Sequence, residues 1–186
     1  MAPGSHLLSF RCTSCGNCCK EPLLPLTDAD LRGIVKRTGD RPRDIVRWVS
    51  RHEIDLDEPE AFAVLRAGRR LMVLSHNKNG CRYLGKDDRC TIYSARPLGC
   101  RVFPFDASFK KNGELRRLKL IPAAECLYEM DGDNSVDHIR KGHETFDRQT
   151  DRYHERVADW NHTQLQRKRK GLSAELPKAF FEFLGF

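Results

Sequence analysis

The longest regular pattern of apolar and polar positions lies in the last third of the chain. Apolar or weakly polar residues recur there alternately three and four positions apart, and most positions between them are charged. This spacing puts the recurring residues on one helix face and predicts a helix of about 30 residues. The stripe consists of Val136, Ile139, His143, Phe146, Thr150, Tyr153, Val157 and Trp160.

Two shorter amphipathic helices are predicted nearer the N-terminus. Thr27 followed by Asp30 is typical of a helix start, and Gly39 is typical of its end. The segment Asp40-Arg-Pro42 predicts a second helix, because proline is favoured in the first helical turn. Each helix has three apolar residues on one face: Leu31, Ile34 and Val35 in the first, and Ile45, Val46 and Val49 in the second. The two helices are expected to pack as a hairpin.

Two short runs predict strands. Leu71-Met-Val-Leu74 is an apolar run of strand length, and Leu115 to Ile121 alternates apolar and basic residues. We expect these runs to pair in an antiparallel sheet. The fold class predicted from all these elements is α+β, with short helices, a small antiparallel sheet and a long C-terminal helix.

The composition indicates a folded chain. Of 186 residues, 39% are hydrophobic and 32% are charged, which is too apolar for a chain that is disordered throughout. The length suits one domain with an extension. We expect residues 1–130 to form a metal-stabilised cysteine-cluster domain and residues 131–186 to form a helical extension that packs on it or on a partner.

The role of the eight cysteines depends on whether the protein is in a reducing or an oxidising compartment. The N-terminus lacks the features of a secretory signal, and no run approaches the roughly 18 apolar residues that span a bilayer. A cytoplasmic protein without membrane association is therefore expected. In a reducing compartment, clustered cysteines are more often metal ligands or catalytic groups than disulfides. A secreted disulfide-bonded scaffold is the less favoured alternative, since such proteins are usually shorter.

Four cysteines are concentrated in the segment Phe10-Arg-Cys-Thr-Ser-Cys-Gly-Asn-Cys-Cys19. Cys12, Cys15 and Cys18 have the C-x-x-C-x-x-C spacing with which bacterial ferredoxins hold a cluster. Ferredoxins continue with a cysteine three residues later and a proline, whereas here Cys19 follows at once, so this is not a ferredoxin. On an extended backbone, Cys18 and Cys19 would point to opposite sides. They are then expected to bind two metals, or only one of them is a ligand.

The other candidate metal ligands are Cys81, Cys90, Cys100 and Cys126. Cys126 is separate in sequence, and a single cysteine is often a small buried apolar residue, but it is retained as a candidate. Two architectures fit the eight cysteines. One is an iron-sulfur cluster on four or more thiolates, and the other is one or two tetrahedral zinc sites. Spacing alone does not choose between them.

Arginines accompany the downstream cysteines at positions 82, 89, 96 and 101. Their positive charge can offset the negative charge of thiolates around a metal. Arg96 and Arg101, which bracket Cys100, are predicted to contact the cofactor. Arg82 and Arg89 are explained equally well as solvated surface residues.

These motifs together are similar to a known family. The region from Phe10 to Phe105 contains F-x-C-x-x-C-G-x-C-C, then C-x-Y-L and R-C-x-I-Y-x-x-R-P-x-x-C-R-x-F-P-F. It resembles the YkgJ-like CxxCxxCC cysteine-cluster family of zinc- or iron-chelating domain proteins. A relative in that family, the flagellin lysine methylase, has a similar cluster thought to hold iron and sulfur, so the resemblance favours iron-sulfur over zinc. No glycine-rich nucleotide or adenosylmethionine loop is found, so the resemblance does not imply a methylase.

The sequence favours a cytosolic protein that holds an iron-sulfur cluster, of the 4Fe-4S type, in an electron-transfer, auxiliary or sensing role. The alternative is a zinc-stabilised structural or interaction module whose 136–160 stripe contacts a protein partner. Nucleic-acid binding is disfavoured despite the net charge of +7, because no aromatic residues interleave with the basic run at 167–170. No residue pattern assigns a catalysed reaction, so enzymatic activity is left open.

Overall fold

The computed structural model describes residues 7–20, 23–121, 127–132 and 134–186. Its strands are β1 (Leu7–Leu8), β2 (Arg11–Cys12), β3 (Val46–Val49), β4 (Ala63–Leu65), β5 (Gly68–Leu74), β6 (His76–Asn77), β7 (Gly80–Cys81), β8 (Phe105–Phe109), β9 (Leu115–Leu120), β10 (Tyr128–Glu129) and β11 (Asn134–Ser135). Its helices are α1 (Asp28–Thr38), α2 (Pro42–Ile45), α3 (Leu98–Val102), α4 (Val136–Arg169) and α5 (Pro177–Leu184). Short helices, small antiparallel sheets and a long C-terminal helix confirm the predicted α+β class.

The chain forms two compact units, each made of two segments. The cysteine unit comprises Met1–Pro22 and Asn77–Arg148, and the helix–sheet unit comprises Leu23–His76 and Gln149–Phe186. Helix α4 contributes residues to both units. The boundary expected near residue 130, between a cysteine domain and a helical extension, stays a prediction.

Helix α1 of the helix–sheet unit begins and ends as predicted. The Thr27 hydroxyl accepts a hydrogen bond from the Asp30 backbone N–H, and the Asp30 carboxylate accepts one from the Thr27 backbone N–H, which forms a capping box. Gly39 ends the helix in the left-handed conformation that glycine adopts easily. The apolar face at Leu31 and Ile34 is fully buried.

The second predicted helix is wrong beyond its first turn. Helix α2 ends at Ile45, and the chain continues as β3, which pairs antiparallel with β5 from Val46 opposite Leu74 to Val49 opposite Leu71. Val46 and Val49 therefore belong to a strand. The run Val-Arg-Trp-Val is rich in β-branched and aromatic residues, and cross-strand packing favours such residues in a sheet.

The predicted strands exist, but their predicted pairing is wrong. The run Leu71–Leu74 lies in β5, which pairs with β3 and β4 in one three-stranded sheet. The run from Leu115 lies in β9, which pairs with β8 as a hairpin in the cysteine unit, with Phe105 opposite Leu120. A short turn connects β8 and β9, so their pairing needs little loop-closure entropy.

The core of the cysteine unit fixes the strand that leads into the first cysteines. Phe10, Phe105 and Ile139 form a buried cluster, against which Phe109 and Leu118 also pack. The Phe10 and Phe105 rings meet edge to face, with 5.0 Å between centroids. Because Phe10 directly precedes β2, this cluster holds the start of the cysteine loop against β8 and α4.

Helix α4 confirms the long helix predicted from the stripe, at 34 residues. Within the helix–sheet unit, the stripe residues Tyr153, Val157 and Trp160 are buried, and the Trp160 ring lies edge to face against Phe180 of α5. This part of the stripe belongs to the protein's own core. A protein partner on the stripe stays a prediction. Among the described residues, no helix has the length and apolar character needed to cross a bilayer.

Candidate metal centre

The N-terminal cysteine loop is built from tight turns. After β2 ends at Cys12, Ser14 and Gly16 adopt left-handed backbone angles, with φ of 57° and 72°. The Ser14 backbone N–H donates to the Cys12 sulfur at 3.4 Å. A 3₁₀ turn follows at Asn17–Cys19. A left-handed conformation is uncommon for a residue such as Ser14, and such strain is often found at functional loops.

The adjacent cysteines of this turn lie together. Because Asn17–Cys19 is a 3₁₀ turn, the extended backbone on which Cys18 and Cys19 were expected to point to opposite sides is not present. The interaction with the Cys19 side chain is the main reason why the pKa of Cys18 is raised, and burial acts in the same direction. The positive charge of Arg96 lowers that pKa and partly opposes the shift.

The next two cysteines lie on a tight hairpin. The Leu84 backbone N–H donates to the Cys81 carbonyl at 2.9 Å, and Leu84 forms a β-bridge with Cys90. The Tyr83 backbone N–H donates to the Cys81 sulfur at 3.4 Å. Cys81 is buried, and Asp88 in the turn has a left-handed φ of 59°.

Close backbone contacts hold the N-terminal loop against this hairpin. A Cβ atom on Gly80 would overlap the carbonyl oxygen of Cys19, and one on Gly16 would lie 2.5 Å from the carbonyl oxygen of Asp88. An ion pair between Lys20 and Asp88, at 3.1 Å, spans the same junction. Sequence reasoning did not find this junction. Its one local signal is a glycine directly before Cys81.

Cys100 lies on α3, and the charges of other cysteines affect the pKa of its thiol. Its pKa is raised from 9.0 to about 12, and burial is the largest cause. The next causes are the negative charges of Cys81, Cys18 and Cys90. Burial likewise raises the pKa of Cys81, with smaller contributions from Cys90 and Cys18. These four cysteines are therefore close enough to interact electrostatically, and we call them the four-thiol group.

The remaining predicted ligands lie as follows. Cys12 is exposed on β2, opposite Tyr128 of β10, and Cys15 is half-buried. Cys126 lies outside the described residues. All seven described cysteines are free of disulfides. In the described parts of the chain, no three Cys, His, Asp or Glu side chains are arranged to hold a single ion.

The arginines near the four-thiol group differ in what they contact. The Arg96 guanidinium lies 4.0 Å over the Tyr93 ring and lowers the pKa of both Cys18 and Cys100. Arg101 donates to the carbonyls of Arg96 and Ser94, so it holds the turn that carries Arg96. Arg82 lowers the pKa of Cys81, which is the charge effect that the sequence analysis weighed against a solvated surface position.

The donor chemistry of these residues suits a thiophilic metal. Thiolates are soft ligands that bind zinc, copper(I) and iron-sulfur clusters. Backbone N–H groups that donate to the Cys12 and Cys81 sulfurs stabilise thiolate charge, and so does the nearby Arg96. The chemistry of these donors therefore fits either zinc or an iron-sulfur cluster.

The comparisons with known proteins agree with this chemistry. The model of a family described as "CxxCxxCC: Putative zinc- or iron-chelating domain" matches residues 11–119, which is more than half of the chain. No curated protein and no solved structure matches the chain. The matched region contains the four-thiol group, Cys12, Cys15, Cys19 and both predicted cofactor-contacting arginines.

Proposed function

The chain belongs to the CxxCxxCC family of zinc- or iron-chelating domains, and on that basis we propose that its cysteines hold an iron-sulfur cluster of the 4Fe-4S type. Metal binding is the coarse function that family membership supports. The observation that carries the finer proposal is the four-thiol group. Its members come from the N-terminal loop, the hairpin and α3, and they lie within electrostatic reach of one another.

The spacing of the N-terminal cysteines supports iron-sulfur over zinc. Cys12, Cys15 and Cys18 have the spacing of ferredoxin ligands, and Cys18 is the member of this triplet that belongs to the four-thiol group. A tetrahedral zinc site also takes four thiolates. Zinc at the same four-thiol group is therefore the second candidate, and the two predict different metal analyses.

Residues around the four-thiol group stabilise the negative charge of ionised thiols. The Tyr83 N–H group points at the Cys81 sulfur, and Arg96 lies close enough to Cys18 and Cys100 to favour their ionised forms. When bound, an iron-sulfur cluster supplies reversible electron transfer at a potential set by hydrogen bonds to sulfur, charge and exposure. The proposed role is an electron-transfer, auxiliary or sensing centre. The reducing compartment predicted from the sequence would keep the thiols available.

Chemical analysis separates the two candidates. The protein is purified without oxygen and without metal-affinity resin, and iron, zinc and acid-labile sulfide are measured per chain together with the visible spectrum. About four iron and four sulfide per chain, with broad visible absorption, are expected for the proposed cluster. Zinc without sulfide in a colourless protein contradicts the cluster and supports the zinc candidate.

A further inference from the structure

Two runs of basic residues that are distant in the sequence meet in the helix–sheet unit. One run surrounds the turn between β4 and β5, and the other covers the last turn of α4 and the residue after it. The Arg66 backbone N–H donates to the Glu175 carbonyl at 2.8 Å, and the Arg66 guanidinium donates to the Ala174 carbonyl at 3.5 Å. We call the resulting surface the basic corner. Its cations are Arg66, Arg69, Arg70, Arg167, Lys168, Arg169 and Lys170.

Contacts between α4 and β4 hold the basic corner together. Strand β4 lies at the edge of its sheet, and side chains of α4 pair with its outer edge. The Asn161 side-chain oxygen accepts from the Val64 N–H at 2.6 Å, and the Trp160 indole donates to the Val64 carbonyl at 2.9 Å. The buried Gln164 side chain accepts from the Glu175 N–H at 3.0 Å. Both basic runs therefore have a fixed backbone, so their charges can act on one ligand.

Most cations of the basic corner have no ion-pair partner. Arg167 pairs with Glu175 at 2.8 Å. Within the described residues, none of the other six cations has a carboxylate oxygen within 4.0 Å. By contrast, the exposed arginines at positions 11, 47 and 117 each pair with a carboxylate. Cations that no carboxylate neutralises create a positive potential, which attracts a ligand with many negative charges.

Exposed leucines accompany these cations. Leu165, Leu172 and Leu176 are 46%, 50% and 48% exposed, and they lie near the end of α4 or between α4 and α5. Nucleic-acid phosphates need only the cations, and the bases of a single strand stack on aromatic side chains. Leucine contributes to neither contact, whereas its burial below lipid headgroups is favourable. Leucines beside unpaired cations therefore favour a lipid surface over nucleic acid.

We propose that the basic corner binds the surface of an anionic phospholipid membrane, with its cations on lipid phosphates and its leucines between the headgroups. Binding of this kind is independent of the metal proposed above. It also needs no spanning segment, so the lack of a long apolar run, which predicted no membrane association, does not decide it. Each lysine or arginine near an anionic membrane adds a similar increment of binding free energy, so both basic runs contribute.

Vesicle co-sedimentation of the full-length protein, as purified with its metal, tests this surface. Binding is expected to vesicles of phosphatidylcholine mixed with phosphatidylserine, and it should weaken as salt screens the charges. Arg69→Gln removes one cation of the hairpin run, and Lys168→Gln with Lys170→Gln removes two at the helix end. Affinity should fall about fivefold for each cation removed. The matched control is Lys36→Gln with Arg37→Gln, which removes two exposed cations from the last turn of α1.

Three results of this experiment overturn the proposal. The first is no binding to the mixed vesicles, and the second is equal binding to vesicles of phosphatidylcholine alone. The third is an equal loss of affinity in the control and in the basic-corner variants. Metal content and the urea midpoint are measured for every variant, and wild-type values show that lost binding is not lost folding.

The leucines separate a membrane from nucleic acid. Leu172→Gln with Leu176→Gln is expected to weaken binding to the mixed vesicles severalfold and to leave binding of a duplex oligonucleotide unchanged. Unchanged vesicle binding in this variant, or tighter binding of the wild-type protein to the duplex than to the vesicles, overturns the proposal. Zinc in place of iron and sulfide would contradict the proposed cluster and leave the membrane result unaffected.

Discussion

Gly80 lies with its α-carbon directly against the carbonyl oxygen of Cys19, so only a hydrogen fits at this position. The contact joins two segments that are far apart in the sequence. Cys81 follows Gly80, and Cys18 precedes Cys19. This backbone contact therefore sets the relative position of two members of the four-thiol group.

Replacing Gly80 with alanine is expected to reduce metal content and stability. The new Cβ would overlap the Cys19 carbonyl, and overpacking typically costs about 1–3 kcal/mol, to which a left-handed φ of 116° adds backbone strain. Gly171→Ala is the matched control, since Gly171 also has a left-handed φ but has open space around its α-carbon. Metal per chain and the urea midpoint are measured. Wild-type metal content in Gly80→Ala would contradict the role of the contact.

Asp88 is expected to matter through its backbone conformation more than through its charge. Its ion pair with Lys20 is on the surface, where such pairs contribute about 0–1 kcal/mol, so Asp88→Asn should keep near-normal metal content. Asn also tolerates the left-handed region. Asp88→Val, with a β-branched side chain at φ 59°, should lose stability and metal. Equal metal loss in both variants, measured per chain, would show that charge decides.

Arg96 is expected to set the pH at which metal is taken up. A thiol must lose its proton to bind metal, and Arg96 lowers the pKa of both Cys18 and Cys100. Arg96→Gln should therefore shift cobalt(II) uptake, followed through its thiolate absorption band, to higher pH. Arg96→Lys keeps the charge and should shift uptake less. The same uptake profile in Arg96→Gln and wild type would rule out this effect.

The metal-free protein is expected to lose stability at alkaline pH through Cys100. The folded state raises the pKa of this thiol from 9.0 to about 12 and so favours its neutral form. The resulting stabilisation is complete below pH 9 and is lost as the pH rises toward 12. The free energy of urea unfolding should fall over this range, and it should fall less steeply in Cys100→Ala. Parallel pH profiles for the two proteins would contradict this assignment.

Local sequence signals predicted the helices that depend on local interactions. The capping box at Thr27 and Asp30 and the final Gly39 placed α1, and the regular stripe placed α4. The prediction of the second helix was wrong after Ile45, because pairing with β5 decides the conformation of the next residues. The predicted pairing partner of β9 was also wrong, since strand pairing depends on contacts that periodicity does not specify.

The candidate site was predictable in its chemistry but not in its geometry. Cysteine spacing and the flanking arginines identified the residues. The arrangement of Cys18 and Cys19 was not predictable, because their 3₁₀ turn depends on the left-handed Gly16, which packs against Asp88 far along the chain. Such a contact between distant segments leaves no periodic pattern in the sequence.

Iron K-edge X-ray absorption on protein purified without oxygen tests the central claim most directly, because it reports the atoms around each iron. The account predicts sulfur as the nearest neighbour of iron, together with an iron–iron distance typical of a cluster. Iron surrounded by nitrogen or oxygen, or iron without a second iron nearby, would contradict an iron-sulfur cluster on the four-thiol group.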